Sequence, residues 1–441
     1  MGIRTKKILM KIVIILVIII FLGLVTRAIF NYTTGKKLEK AVAEMKSEGK
    51  RLTLKEFEPE CDDQDNAALI WKGAEAMISM EGNDKRVLSK TIEDIFYAKA
   101  INEQTRKQLN KILSKNQNVL QLIRDAADKP CFKYPKNWDG PPEEIDIPNL
   151  VKMISIMRLC GIDSVFKAES SQLDEAIEQC FVGMRFSRKY LMEPFLISSL
   201  VAIANMKQLI FCLNRITAGK EIETHTLLNI LTELDIDPWR RGLVWSFETE
   251  KILFIDIGIR FSGRNTAIID AGFMDKMLYW LLRPVIKTEI VWSLKLWEEW
   301  ERAAQLPYYE TKHIQAMFKK KYGDIPWYFR MTGFLFPNLL TAMYKEAMLE
   351  ATLLSAQIGI ACKIYKNQQG EFPEKLSQLV PDILKKELLD PFTGEPFIYR
   401  RQDSGFIVYS LGSNEKDDEG RGTLAITKIV MEKDDDWAWK E

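Results

Sequence analysis

Histidine is nearly missing from this sequence, with only His225 and His313 among 441 residues. That leaves almost no room for a multi-histidine zinc or iron centre or for a histidine-based triad, since each needs several converging side chains. Cysteine is sparse as well: Cys61, Cys131, Cys160, Cys180, Cys212 and Cys362 include no CxxC or zinc-knuckle spacing and are too few for a disulfide scaffold of this size. Cys160 and Cys180 stand where a helical hairpin could bring them face to face, but the reading favoured by composition is buried free thiols. Neither sign of charge is in excess, with 62 Lys and Arg against 61 Asp and Glu. Without a basic face the chain has no electrostatic footprint for nucleic acid, which is not an expected partner. There is no lipase-type GxSxG, P-loop, Rossmann glycine pattern or HExxH helix. Glu248/Glu250, two apart, and Glu298/Glu299, adjacent, face different directions on their helices and do not converge. What remains is an ordinary globular balance, 47% apolar and 28% charged, with length for two or three domains.

The one long apolar run is at the N-terminus. Ile12 to Thr26 holds no charge, and Ile8 to Phe30 is interrupted only by Lys11 and Arg27. The shorter run rises about 22 Å as a helix, and the longer one reaches across a hydrocarbon core of roughly 30 Å if Lys11 and Arg27 snorkel to the headgroups. Arg4, Lys6, Lys7 and Lys11 would also suit a signal peptide, but Thr26-Arg27-Ala28 is a poor cleavage site. The reading is a transmembrane anchor. Arg27, Lys36, Lys37 and Lys40 balance the charges before the anchor, so the short leading tail and long polar remainder favour N-in with the body translocated. The expected location is the inner membrane of a bacterium, crossed once, with the body facing the periplasm.

Five segments follow: 1–30 tail and anchor, 31–130 a helical segment, 131–149 a linker, 150–337 a helical body, and 338–441 a small α+β module. Residues 36–50 read as a solvated helix leaving the membrane, and Asp65 is a candidate N-cap for a helix striped by Ala68, Trp71, Ala74 and Ile78. Ile92 to Ala127 keeps helical register. Pro130, Pro135, Gly140, Pro141, Pro142 and Pro148 mark the linker. Leu150–Lys167 and Leu173–Tyr190 form a hairpin about Glu169-Ser170-Ser171, and a third helix runs through Leu213. Asn205, Lys207 and Gln208 make that third helix a buried one and not a second span. Arg283, Pro284, Lys287 and Glu289 argue the same for 277–297. Trp280, Trp292, Trp297 and Trp300 crowd this region; core packing is the favoured reading, a ligand groove or membrane-resting surface the sharper one.

The last hundred residues change texture. A helix over Leu339–Asn367 leads through Gly370 and Phe372-Pro373 to a short helix at Lys375–Leu379. Asp390-Pro391-Phe392-Thr393-Gly394-Glu395-Pro396 then precedes two alternating strands, 397–401 and 405–412, that form a hairpin. In order and spacing this segment resembles the soluble domain of the major pseudopilin of type II secretion, through Tyr365-Lys366-Asn367, Gly370, Phe372-Pro373, Asp390-Pro391-Phe392, Gly394, Pro396, Tyr399 and Tyr409-Ser410-Leu411-Gly412. The anchor lacks the glycine–aromatic–Glu processing signature and lies about 300 residues upstream, so the resemblance does not extend to fibre assembly. The whole arrangement looks like uncharacterised exported proteins of planctomycete-type bacteria. The resemblance implies calcium in an acidic loop, with Asn414, Asp417 and Asp418 after the second strand, one of Asp434, Asp435 or Asp436 returning, and the Leu411 carbonyl completing the shell.

The expected fold is mainly α, with an N-terminal transmembrane helix, a helical body and a small C-terminal α+β module. The expected function is that of a non-catalytic, membrane-anchored envelope protein working through protein partners, with a secretion-related role implied by the resemblance. The alternative is an envelope enzyme acting on glycan or lipid in a Trp-lined groove.

Overall fold

The computed structural model describes residues 3–262, 272–312, 314–317, 320, 325–402, 404–422 and 436–441. It is mainly helical, with a small antiparallel sheet near the C-terminal end. Two compact units are each assembled from separated stretches: Met1–Phe57 with Glu250–Trp300 and Lys319–Pro337, and Glu58–Thr249 with Glu301–Phe318 and Asn338–Glu441.

In the first unit, α1 (Ile3–Ser47) carries the apolar run and the Lys/Glu stretch in one continuous helix. None of its most apolar window is buried in protein. Such a length of exposed Ile, Leu and Val suits a lipid environment, and the helix is long and apolar enough to span a bilayer. The later part of α1 lies beside α11 (Phe273–Gln305): Lys287 donates to the Asn31 side chain at 3.1 Å, and Lys50, just past the end of α1, pairs with Glu298 at 3.0 Å. The end of α10 (Asp237–Ser262) approaches α11 closely, since a Cβ at Gly258 would stand 2.5 Å from Ile290 Cδ1. Glu289 accepts from the Thr332 backbone N–H at 2.7 Å, and Trp297 packs on Phe336 with ring centroids 5.1 Å apart.

The second unit packs around one large hydrophobic cluster, and a smaller one holds Tyr344, Ala347, Met348, Ala351, Phe392 and Trp437. Helices α2 (Ala67–Met77), α3 (Asp84–Phe96), α4 (Glu103–Lys115) and α5 (Gln117–Ala127) precede α6 (Leu150–Glu169), α7 (Leu173–Lys189), α8 (Leu196–Thr217) and α9 (Thr224–Glu233). Helix α2 is capped by Asn66, whose side chain accepts from Ala68 N–H, one residue past the expected Asp65. The predicted hairpin of α6 and α7 is present and turns at Ser171, which takes a positive φ of 64°. Helix α8 packs on both. A Cβ at Gly183 would meet Leu209 of α8 at 2.9 Å, so the glycine permits close helix approach. Among the described residues, two helices apart from α1 are long and apolar enough to cross a membrane, α8 and α12 (Arg330–Gln369), but 72% and 89% of their apolar windows are buried inside protein. They are core helices, as the polar residues of α8 foretold.

The segment expected as a separate C-terminal module shares this core. Leu349, Leu353, Ile360 and Ile364 of α12 join the cluster formed by α6 to α8. Polar ties reinforce the joint: Gln357 donates to the Leu234 carbonyl, Asn367 to that of Ile222, and Lys363 to that of Thr217. The predicted hairpin is β1 (Ile398–Arg401) and β2 (Phe406–Ser410), in register Ile398↔Tyr409 and Arg401↔Phe406. A third strand, β3 (Trp437–Lys440), pairs antiparallel with the other edge of β2 and had not been expected. Trp439 drops its ring onto α12 at Gly359, where any Cβ would stand 2.2 Å from it.

The cysteine reading needs one correction. Cys61 and Cys131 form a disulfide, with their Cα atoms 5.9 Å apart. Loop backbone brings them together: Ala67 N–H donates to the Cys131 carbonyl, while the Asn66 side chain donates to the Lys133 carbonyl and accepts from Lys133 N–H. Cys160, Cys180, Cys212 and Cys362 are buried free thiols, as expected. Burial pushes Cys160 and Cys212 up to about 12, so neither is a ready nucleophile.

Candidate functional site

The acidic loop after β2 is folded back on the sheet. Arg400 of β1 pairs with Asp417 at 2.5 Å, and Tyr409 of β2 donates its hydroxyl to the same carboxylate at 2.8 Å. Against the effect of burial, these contacts and the Glu419 N–H hold Asp417 below its usual range. Asn414 donates to Asp418 at 2.8 Å. Asp436, just before β3, is 1% exposed. One of its carboxylate oxygens accepts from the Gly420 N–H at 2.7 Å, and the other is buried without a hydrogen-bond partner. Burial, with Asp418 and Asp417 nearby, pushes Asp436 up to about 7. Asp434 and Asp435 lie outside the described residues. Among the described residues no three His, Cys, Asp or Glu side chains are grouped to hold a metal. The loop thus brings Asn414, Asp418 and Asp436 into one neighbourhood and commits Asp417 to Arg400.

The four tryptophans of α11 have packing partners. Trp297 and Trp300 are fully buried, with Trp297 set between Phe254 and Phe336. Trp292 meets Phe329 with centroids 5.6 Å apart, and Trp280 lies under the guanidinium of Arg27 at 3.4 Å. A second acidic cluster, absent from the sequence reading, sits on α12, where Glu350 is gripped by Arg240 at 2.9 and 3.0 Å. Burial raises the pKa of Glu350 and of its helical neighbour Glu346. It is an internal ion pair with an added carboxyl, and neither glutamate lines the cavity described next.

That cavity, of about 360 Å3, is walled by α3, α6, α8, α12 and β3. The volume falls in the range of small-molecule sites. Leu200, Ile203 and Phe211 from α8, Ile92 from α3, Met348 from α12 and Trp437 from β3 supply apolar walls. Three cations enter it. Arg158 donates through Nε to Gln208 at 2.9 Å, Lys207 lies 3.9 Å from the Trp437 ring centroid, and Lys345 comes from α12. Burial lowers the pKa of both Arg158 and Lys345. The carboxylate on the wall, Glu93, pairs with Lys90 at 3.2 Å. Desolvated cations facing an apolar space favour an anion carried on an apolar body. Sequence reading singled out Lys207 and Gln208 only as obstacles to membrane crossing; Arg158 and Lys345 carried no local signal. No protein-family model, curated protein or solved structure matches this chain.

Proposed function

We propose that the chain is a membrane-anchored, extracytoplasmic binding protein that holds an anionic amphiphile in the cavity between α3, α6, α8, α12 and β3. The reading is carried by one observation: apolar walls interrupted by Arg158, Lys207 and Lys345, with the wall's Glu93 already paired. The anchor α1 supports attachment to the inner membrane. The Cys61–Cys131 disulfide supports a body on the periplasmic side, because such bonds persist in oxidising compartments. The function in this reading is recognition, with the cations of the cavity wall holding the ligand's charge. Protein partners in the envelope would meet a ligand-loaded or empty body. The hairpin in its expected place supports the pseudopilin likeness of the C-terminal segment. The buried, unpartnered oxygen of Asp436 supports a calcium ion shared with Asp418 and Asn414.

The test is binding of a dansylated fatty acid to the full chain in nanodiscs, read by energy transfer from tryptophan. Comparison with Lys345→Glu cancels partition of the probe into lipid. The variant should bind about tenfold more weakly, equivalent to about 1.4 kcal/mol, and a fatty alcohol should fail to displace the probe. Equal binding by both proteins would remove the reading.

A further inference from the structure

The first turns of α11 expose a stripe that a water-facing helix would not carry. Met274, Met277, Leu278 and Leu281 recur at the i, i+3, i+4, i+7 spacing of one helix face. Met274 is 67% exposed and Leu278 is 52% exposed.

Where this stripe stands relative to the bilayer follows from α1. Two contacts link the helices, Arg27 with the Trp280 carbonyl and Asn31 with Lys287, and Lys50, three residues past the end of α1, pairs with Glu298. Their sequence separations, 253, 256 and 248, are nearly constant, so α1 and α11 run parallel and side by side. Met274 therefore stands level with the residues around Phe21 of α1, and Leu278 with those around Val25. Both are inside the apolar run. At 1.5 Å per residue, Met274 lies about 9 Å below Trp280. Trp280 and Arg27, stacked at 3.4 Å, mark the boundary: an aromatic ring and a cation at the end of a spanning segment are typical of the headgroup layer. Above them α11 turns polar, with Arg283 and Lys287.

We infer that the N-terminal turns of α11 are seated in the outer leaflet of the membrane that α1 crosses, making a second, non-spanning attachment. Met274, Met277, Leu278 and Leu281 enter the acyl region, and Lys276, on the Trp280 side, extends its stem back toward the headgroups. Pro284, one turn above Trp280, falls where the helix leaves the lipid. The attachment fixes the rotation of the anchor, which one spanning helix alone leaves free. The inference rests on α1 spanning the bilayer, and it is independent of what the cavity binds.

The experiment uses full-length protein in liposomes with a single environment-sensitive label on an introduced cysteine, the four native free thiols being buried. Labels at Leu278→Cys and Leu281→Cys report on α11, Ile18→Cys on the anchor, and the exposed Lys295→Cys on water. The expected result is quenching of positions 278 and 281 by spin-labelled lipid and protection from iodide, as at 18, with the reverse at 295. Iodide quenching at 278 and 281 while 18 remains in lipid would overturn the inference and leave the anchor intact. Protection from both quenchers would overturn it in favour of a second copy covering the stripe. Iodide quenching at 18 would instead overturn the anchor itself.

Discussion

Asp436 is the residue whose chemistry is most exposed to test. Its folded pKa of about 7 stands above the ordinary aspartate value because the carboxyl is buried beside Asp418 and Asp417. The folded chain therefore holds a proton that the unfolded chain has lost. The resulting penalty is absent below about pH 4, where both states are protonated, grows as pH rises, and is complete above about pH 7. In chelator at pH 8, Asp436→Asn should melt above wild type, and the gap should close on titration to pH 4. Parallel stability curves would mean that the carboxyl ionises normally. A cation replaces that proton, so calcium should raise the wild-type melting temperature at pH 8, leave the variant unmoved, and act less at pH 5. Wild-type melting curves that coincide in calcium and in chelator would sink the metal reading.

At the scale of elements, two joints hold the second unit together. The Cys61–Cys131 bond closes a loop with a sequence separation of 70. The chain-entropy model assigns such a loop about 4 kcal/mol. Cys61→Ser should lower the urea midpoint accordingly, and a reductant should have no further effect on the variant; an unchanged midpoint would show that the bond constrains nothing. The second joint is Trp439 on Gly359. An alanine in a helix normally stabilises it relative to glycine, but here the added methyl meets the ring at 2.2 Å. Overpacking of this kind costs about 1–3 kcal/mol. Gly359→Ala should therefore destabilise, and less so in a Trp439→Phe background. A neutral or stabilising Gly359→Ala would mean that β3 is not docked on α12.

The same elements show what was legible in the sequence. The N-terminal apolar helix follows from an uncharged run, the buried character of α8 from its polar residues, and the α6–α7 and β1–β2 hairpins from periodicity, each within a single window. The disulfide did not, because Cys61 and Cys131 lie in loops outside any periodic stretch and are brought together by loop hydrogen bonds of Asp65, Asn66 and Ala67. Strand β3 was hidden by its brevity and by the acidic run before it; Trp437 and Trp439, two apart on one face, were its only signal. The cavity was illegible for a different reason. Its cations stand at 158, 207 and 345, and nothing local marks three such residues as neighbours.

At the scale of the whole molecule, an apolar anchor, a disulfide-bearing body and a cationic apolar cavity make up the proposed tethered binding protein. The parts are independent in their tests: α1 can span whether or not the cavity is filled, and the disulfide speaks only to the compartment. The claim at the centre is that the cavity holds an anionic amphiphile. Native mass spectrometry of the full chain, released from nanodiscs made with a mixture of anionic and zwitterionic lipids and oleate, addresses it most directly. The account predicts an adduct of one anionic amphiphile that survives removal of bulk lipid in wild type and is lost in a protein carrying Arg158→Gln and Lys345→Glu. A bare chain in wild type, or an adduct equally retained by the variant, would contradict it.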